Sequence, residues 1–93
     1  MDQWVNRAIE LARMAAAINE FPVGALVVLN DQVIGEGMNQ KESLGDPTAH
    51  AEVMAIRDAC NRVGDWRLSG SILVTTLEPC PMCLGTILQS RVS

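Results

Sequence analysis

Four side chains in this 93-residue chain have types and spacing suited to chemistry: His50, Glu52, Cys80 and Cys83. Two thiolates and one imidazole make three protein ligands. A catalytic zinc site uses three and leaves the fourth tetrahedral position to water, whereas a structural site takes four. Cys60 is the only other cysteine and there is no second histidine. Cys60 falls mid-helix on a stripe expected to face a sheet, where it reads as a small buried residue, so the count favours an open, catalytic site. Glu52 follows His50 by two positions, a spacing that points side chains apart in a regular helix. Either His50 sits at an irregular helix entrance, or Glu52 lies beside the water rather than on the metal. The second arrangement suits hydrolysis: zinc lowers the pKa of its water to about 7, and a neighbouring carboxylate takes that proton and returns it to a leaving nitrogen. A Cys-x-x-Cys pair alone also fits a thioredoxin-like redox pair, but that motif gives His50 and Glu52 no role.

The elements that must position these residues follow from the pattern. Trp4, Ala8, Leu11, Ala15 and Ile18 mark one face of a helix over residues 2–18, ended by Asn19-Glu20-Phe21-Pro22, since proline disfavours helix at the residue before it. Residues 23–29 read as a short buried strand. Asn30-Asp31 is a two-residue turn, because both residues tolerate positive φ. Residues 32–39 return as a second strand, in which Gly35 and Gly37 predict a bulge or a close backbone approach. Residues 40–46 read as a loop. Asp46-Pro47-Thr48 is a helix-start signal, followed by a buried stripe of Ala51, Met54, Ala55, Ala59 and Val63 and a C-terminal cap at Gly64. A third strand spans 71–77, and a third helix runs from Glu78 to about Ser90. Cys80 and Cys83 share a face at the start of that helix, where unpaired N–H groups lower thiol pKa. Two helix N-termini would then converge on one metal. The order α-β-β-α-β-α predicts an α/β fold of one domain, residues 1–93. Its three-stranded sheet is expected to be mixed and packed by helices, with a right-handed crossover into the third strand.

Composition narrows the class. Hydrophobic residues are 48% and charged residues 19%, which excludes intrinsic disorder. No apolar run reaches the roughly 18 residues of a membrane helix, and the charged first helix does not fit a signal peptide. The expectation is a cytoplasmic protein without membrane contact. The net charge of −4 argues against bulk electrostatic gripping of nucleic acid but not against a nucleic-acid substrate held at a local site. A mean hydropathy of +0.16 is high for a small domain and points to apolar surface covered by another copy or by further chain.

These residues resemble the zinc-dependent nucleobase deaminases, whose signature is H-x-E with P-C-x-x-C. The resemblance is wider than the signature. Phe21-Pro22-Val23-Gly24-Ala25, Gly35-Glu36-Gly37-Met38-Asn39, Asp46-Pro47-Thr48-Ala49-His50-Ala51-Glu52 and Thr76-Leu77-Glu78-Pro79-Cys80-Pro81-Met82-Cys83 are similar to bacterial tRNA-specific adenosine deaminases (TadA type) of the cytidine/deoxycytidylate deaminase superfamily. Ser90-Arg91-Val92 looks like that family too. The resemblance implies a cytidine-deaminase-like core and hydrolytic conversion of adenosine to inosine at the tRNA wobble position, with release of ammonia. It implies one Zn2+ per chain on His50, Cys80 and Cys83, with Glu52 as proton shuttle. Asn39 would hydrogen-bond the flipped nucleoside and the Ala49 backbone would touch the base.

Chains of that family continue past the Ser-Arg-Val segment with further strands and helices, among them a basic helix that contacts RNA. This sequence therefore reads as the N-terminal core of the family fold. Its partners would be the tRNA anticodon loop, if the C-terminal region is supplied, and a second copy, since the family's tRNA enzymes are homodimers. The third strand, uncharged and free of proline, would be an edge open to pairing. Met38 stands where many relatives have Trp. A guanine or other free-base or nucleoside deaminase is the alternative reading, since the segments around His50 and Cys80 suit it nearly as well. A different class, a zinc-stabilised inactive fragment or assembly module, would hold zinc and deaminate nothing.

Overall fold

The computed structural model describes residues 2–76. Helix α1 spans Asp2–Ala17, strand β1 Gly24–Leu29, strand β2 Gln32–Met38, helix α2 Lys41–Leu44, helix α3 Ala51–Val63 and strand β3 Ile72–Thr75. The expected third helix, with Cys80 and Cys83, lies outside the described residues.

α1 stops earlier, and for a different reason, than the proline suggested. Asn19 takes the left-handed conformation (φ 61°). The Glu20 N–H donates to Ala15 O and the Asn19 N–H to Ala16 O, the paired bonds of a Schellman end. Ile18 therefore leaves the helical face and is 45% exposed, whereas Ala8, Leu11 and Ala15 are buried. Asn30 and Asp31 both have positive φ, as a tight hairpin of this twist requires.

The sheet order is β2-β1-β3, and β1 is antiparallel to both neighbours. The mixed sheet expected from the sequence is thus corrected. β2 and β3 do run the same way, joined through α3, but β1 lies between them and every ladder is antiparallel. α1 covers one face, where Ala8 and Leu11 meet Leu26 and Val28. α3 covers the other, where Ala51, Ala55, Ile56 and Ala59 meet Val23, Ala25 and Val27. β1 is buried on both sides, so its unbroken apolar run is what a central strand between two helix layers needs.

β2 confirms both readings of its glycines. The β1–β2 register shifts between Val27 and Val28, which marks the bulge. A Cβ on Gly37 would lie 2.3 Å from Ala51 O, and one on Gly35 2.3 Å from Ala55 O. α3 therefore lies with its alanine stripe Ala51, Ala55 and Ala59 directly on the β2 backbone. Val63, expected in the buried stripe, is 47% exposed, because the sheet beneath α3 ends before it. The C-terminal cap at Gly64 is present: φ is 78° and the N–H donates to Cys60 O.

One ion pair links α1 to the edge strand. Arg7 donates from Nε and Nη2 to the two oxygens of Glu36, at 2.8 and 3.0 Å. The same edge is capped by α3, since the Glu36 N–H donates to Asp58 Oδ2 at 2.9 Å. An edge amide covered in this way is a poor template for another strand.

Two outcomes follow from this packing. Gly37→Ala should cost up to ~3 kcal/mol, the upper range for inserting a methyl into a packed contact, because the obstacle is backbone. Urea unfolding measures it, and unchanged stability would show that α3 has room to move. The Arg7 hydrogen bonds, opposed by desolvation, hold the Glu36 carboxyl below its ordinary 4.5. A lowered folded pKa gives stability that is complete above the unfolded value and lost as pH falls through the folded one. Arg7→Met should therefore cost roughly 1 kcal/mol at pH 7, as for a partly exposed bidentate pair, and progressively less below about pH 4.5. Equal cost at pH 7 and pH 3 would contradict this.

Candidate active site

One end of the sheet gathers the candidate residues. Gly24 begins β1 opposite Met38, the last residue of β2. On its other side, Gly24 exchanges hydrogen bonds with Thr76: the Thr76 N–H donates to Gly24 O at 3.1 Å, and the Gly24 N–H donates to Thr76 Oγ1 at 3.2 Å. β2 and β3 therefore both finish here. The close contact of Gly37 with Ala51 O brings the first turn of α3 to the same place. Strand C-termini meeting a helix N-terminus form the usual crevice of α/β sheets.

His50 is the N-cap of α3, extended at φ −75°, ψ 150°, and it makes no side-chain cap bond. Of the two arrangements the spacing allowed, the irregular helix entrance is present, with Glu52 in the first turn and 4% exposed. The helix begins later than the Asp46 signal suggested, because Asp46 builds a separate turn. Its Oδ1 accepts from the Thr48 N–H at 2.8 Å and the Thr48 hydroxyl at 2.7 Å. These bonds, helped by Arg57, hold the Asp46 carboxyl below its ordinary range. Ala49 N–H donates to Asp46 O and His50 N–H to Thr48 O, so this turn delivers His50 to the helix entrance. Residues 40–46, read as a loop, contain the single helical turn α2, closed by Gly45 in the left-handed conformation.

Four polar residues are buried among the described ones: Glu20, Asn39, Glu52 and Ser71. Glu20 accepts hydrogen bonds from Glu42 and Ser43, and the Ser71 hydroxyl donates to Leu68 O. Asn39 and Glu52, the other two, are 6% and 4% exposed, and among the described residues no buried side-chain polar atom lacks a partner. Both flank the same crevice: the Asn39 N–H donates to Val23 O, and Gln40 N–H to Ala49 O. Ala49 is fully buried, with its N–H and carbonyl both bonded.

His50, Asn39, Ala49 and Glu52 are thus gathered at one end, whereas Cys80 and Cys83 lie outside the described residues. Among the described residues no three His, Cys, Asp or Glu side chains form a metal-binding group. The donor set that the sequence offers suits zinc, since imidazole and thiolate are its preferred ligands. A buried carboxylate two residues from the imidazole is what a proton carrier beside such a metal would be. Burial and the Asp65 charge push the Cys60 thiol up, and its Sγ lies 3.8 Å from Trp66 O. A groove of about 510 Å³ runs along the outer edge of β2, lined by Arg7, Met14, Glu36, Met54 and Arg62 among others. None of the four gathered residues lines it, and Arg7 and Arg62 are paired with Glu36 and Asp58.

Sequence reasoning missed Glu20. An acidic residue just past a helix end has no pattern of its own, and its partners are more than 20 positions away.

The cytidine and deoxycytidylate deaminase zinc-binding region matches residues 1–93. The tRNA-specific adenosine deaminase of Bacillus subtilis (strain 168) is 43% identical over 89 residues, 96% of this chain and 55% of that protein. A solved structure from work on A-to-I editing by tRNA:A34 deaminases superposes with TM-score 0.95 at 42% identity, covering 98% of this chain and 70% of that one. The guanine deaminase structure from Bacillus subtilis superposes with TM-score 0.93 at 43% identity, covering 98% of this chain and 59% of that one. The chain spans about half the length of the bacterial tRNA-specific adenosine deaminases it matches. With the match running from the first residue to the last, the chain belongs to the cytidine and deoxycytidylate deaminase zinc-binding family.

Proposed function

We propose that this domain catalyses zinc-dependent hydrolytic deamination of adenosine to inosine at the wobble position of tRNA. The observation that supports it most is the pair of buried polar side chains, Asn39 and Glu52, beside His50 in one crevice. A carboxylate and an amide there are the groups that proton transfer and base recognition need. The tRNA-specific adenosine deaminases at 43–46% identity favour this substrate.

Zinc held by His50, Cys80 and Cys83 would supply the acidity that makes water a nucleophile near neutral pH. The Glu52 carboxylate accepts the proton as the water oxygen adds to the ring carbon bearing the amine. It then delivers that proton to the amine nitrogen, which leaves as ammonia, so one water is consumed per inosine formed. Burial of Glu52 keeps bulk water from competing for the proton. The Asn39 side-chain amide both donates and accepts, so it orients the base. The Ala49 carbonyl, bonded by Gln40, keeps a second lone pair for the base edge. The acidic chain is ill suited to gripping RNA by charge alone, so tRNA affinity would rest on this local recognition and on whatever further surface the protein presents. We place the domain in the cytoplasm; no helix among the described residues is long and apolar enough to cross a membrane.

A guanine deaminase is the second reading, favoured by the TM-score of 0.93 to that enzyme. Ammonia release from anticodon stem-loops, adenosine, guanine and cytidine decides. Turnover of the stem-loop supports the proposal, guanine alone supports the second reading, and zinc without any turnover leaves an inactive zinc-stabilised module. Glu52→Ala should keep one zinc per chain by elemental analysis and lose activity by about 10²–10⁴, the usual worth of a general acid–base. Loss of the zinc in that variant would make Glu52 a ligand instead. We further propose that the domain works as a homodimer, the commonest closed assembly. Light scattering at micromolar concentration should give about twice the 10.1 kDa chain mass, and an active monomer would contradict it.

A further inference from the structure

We propose that Glu20 is a positioning residue for the crevice, holding Asn39 and Ala49 in place through α2; the inference rests on the deaminase reading above. α2 is four residues long, buries none of them, and has at its N-cap a Gln40 that makes no side-chain cap bond. A helix start without a cap leaves its first N–H groups unpaired. Glu20 supplies the missing acceptors from the far side of β1 and β2 in the sequence. Its Oε1 accepts from the Glu42 N–H at 3.1 Å, and its Oε2 accepts from the Ser43 N–H and the Ser43 hydroxyl, each at 2.5 Å. Glu20 is 5% exposed. These bonds, the Ser43 hydroxyl first among them, also hold its pKa below the ordinary range.

The clamp is anchored at both ends. Behind it, the Glu20 N–H is tied to Ala15 O at the end of α1, and the Val23 N–H donates to Phe21 O in a tight turn. Val23 O then accepts the Asn39 N–H. Ahead of it, α2 holds Gln40 O through the Leu44 N–H, and the Gln40 N–H holds Ala49 O at 2.9 Å. Asn39 and Ala49 thus sit on a closed circuit of backbone bonds, and Glu20 is the side chain that closes it. Without that carboxylate, α2 has neither an N-terminal side-chain cap nor a buried anchor, and Asn39 precedes a frayed turn.

The effect should appear in substrate binding. With the substrate identified by ammonia release, Glu20→Ala should raise KM by up to ~10²-fold, the cost of an ångström-scale misplacement, with a smaller change in kcat. Glu20→Gln, which keeps an acceptor oxygen in the same place, should recover most of it. In an Asn39→Ala background, Glu20→Ala should change KM by less than about twofold, because residues acting through one another are not additive. An unchanged KM, or two substitutions whose effects multiply, would overturn the proposal. Amide hydrogen exchange tests the clamp without turnover: Glu42, Ser43 and Asn39 should exchange faster in Glu20→Ala, and by a smaller, still measurable factor in Glu20→Gln, which keeps one of the two acceptors and is read alone if the alanine variant fails to fold. Unchanged protection at Asn39 would overturn the positioning role, whereas absence of any deamination by the unaltered chain would overturn the deaminase reading instead.

Discussion

The contact on which the site depends is the one between the α3 backbone and the β2 backbone. Helices usually stand off a sheet on their side chains. Here Gly35 and Gly37 present no side chain and Ala51, Ala55 and Ala59 present a methyl each, so carbonyl oxygens of α3 sit where β2 would otherwise carry Cβ atoms. This approach fixes the height and the axial position of α3. The axial position decides where its first turn lies, and that turn carries His50 and Glu52. A residue of ordinary size at Gly37 would lift the helix start away from Asn39 even if the fold survived.

Around that contact, the chain spends its polar bonds on holding the segment between β2 and α3. Glu20 caps α2, Asp46 builds the turn before His50, and the two are linked by the Asp46 N–H donating to Lys41 O. Backbone N–H groups and hydroxyls bond both carboxylates, and Arg57 also pairs with Asp46. Asn39 and Glu52 are the buried polar side chains that this segment and the first turn of α3 place at the crevice. A rigid surround with polar groups held inside it is the condition for preorganised binding, since the groups do not have to reorganise when the ligand arrives.

Much of this was legible in the sequence. The strands, the hairpin turn, the Gly64 cap and both readings of the β2 glycines follow from short-range rules, because each depends on residues within a few positions of one another. His50 at an irregular helix entrance was one of two arrangements the His-Ala-Glu spacing allowed. What was not legible depended on distant partners. Asn19 in the left-handed conformation ended α1 before Pro22 mattered. Asp46 closed its own turn on Thr48, so α3 began at Ala51. Among the described residues the sheet places β1 between β2 and β3, and both ladders are antiparallel. Glu20 had no local signature at all. The thiols Cys80 and Cys83 rest on the sequence and on family membership.

The central claim is that the end of the sheet between Val23, Asn39 and the first turn of α3 takes a purine. The most direct measurement is the ¹H–¹⁵N spectrum of the Asn39 side-chain amide during titration with a purine nucleoside that lacks the leaving amine. The account predicts a saturable shift of that amide, with the backbone amides of Ala49 and Glu52 shifting together with it and those of the Asn30-Asp31 turn unmoved. Saturable binding that shifts residues of the β2-edge groove, such as Arg7 and Met14, and leaves Asn39 unmoved would contradict it.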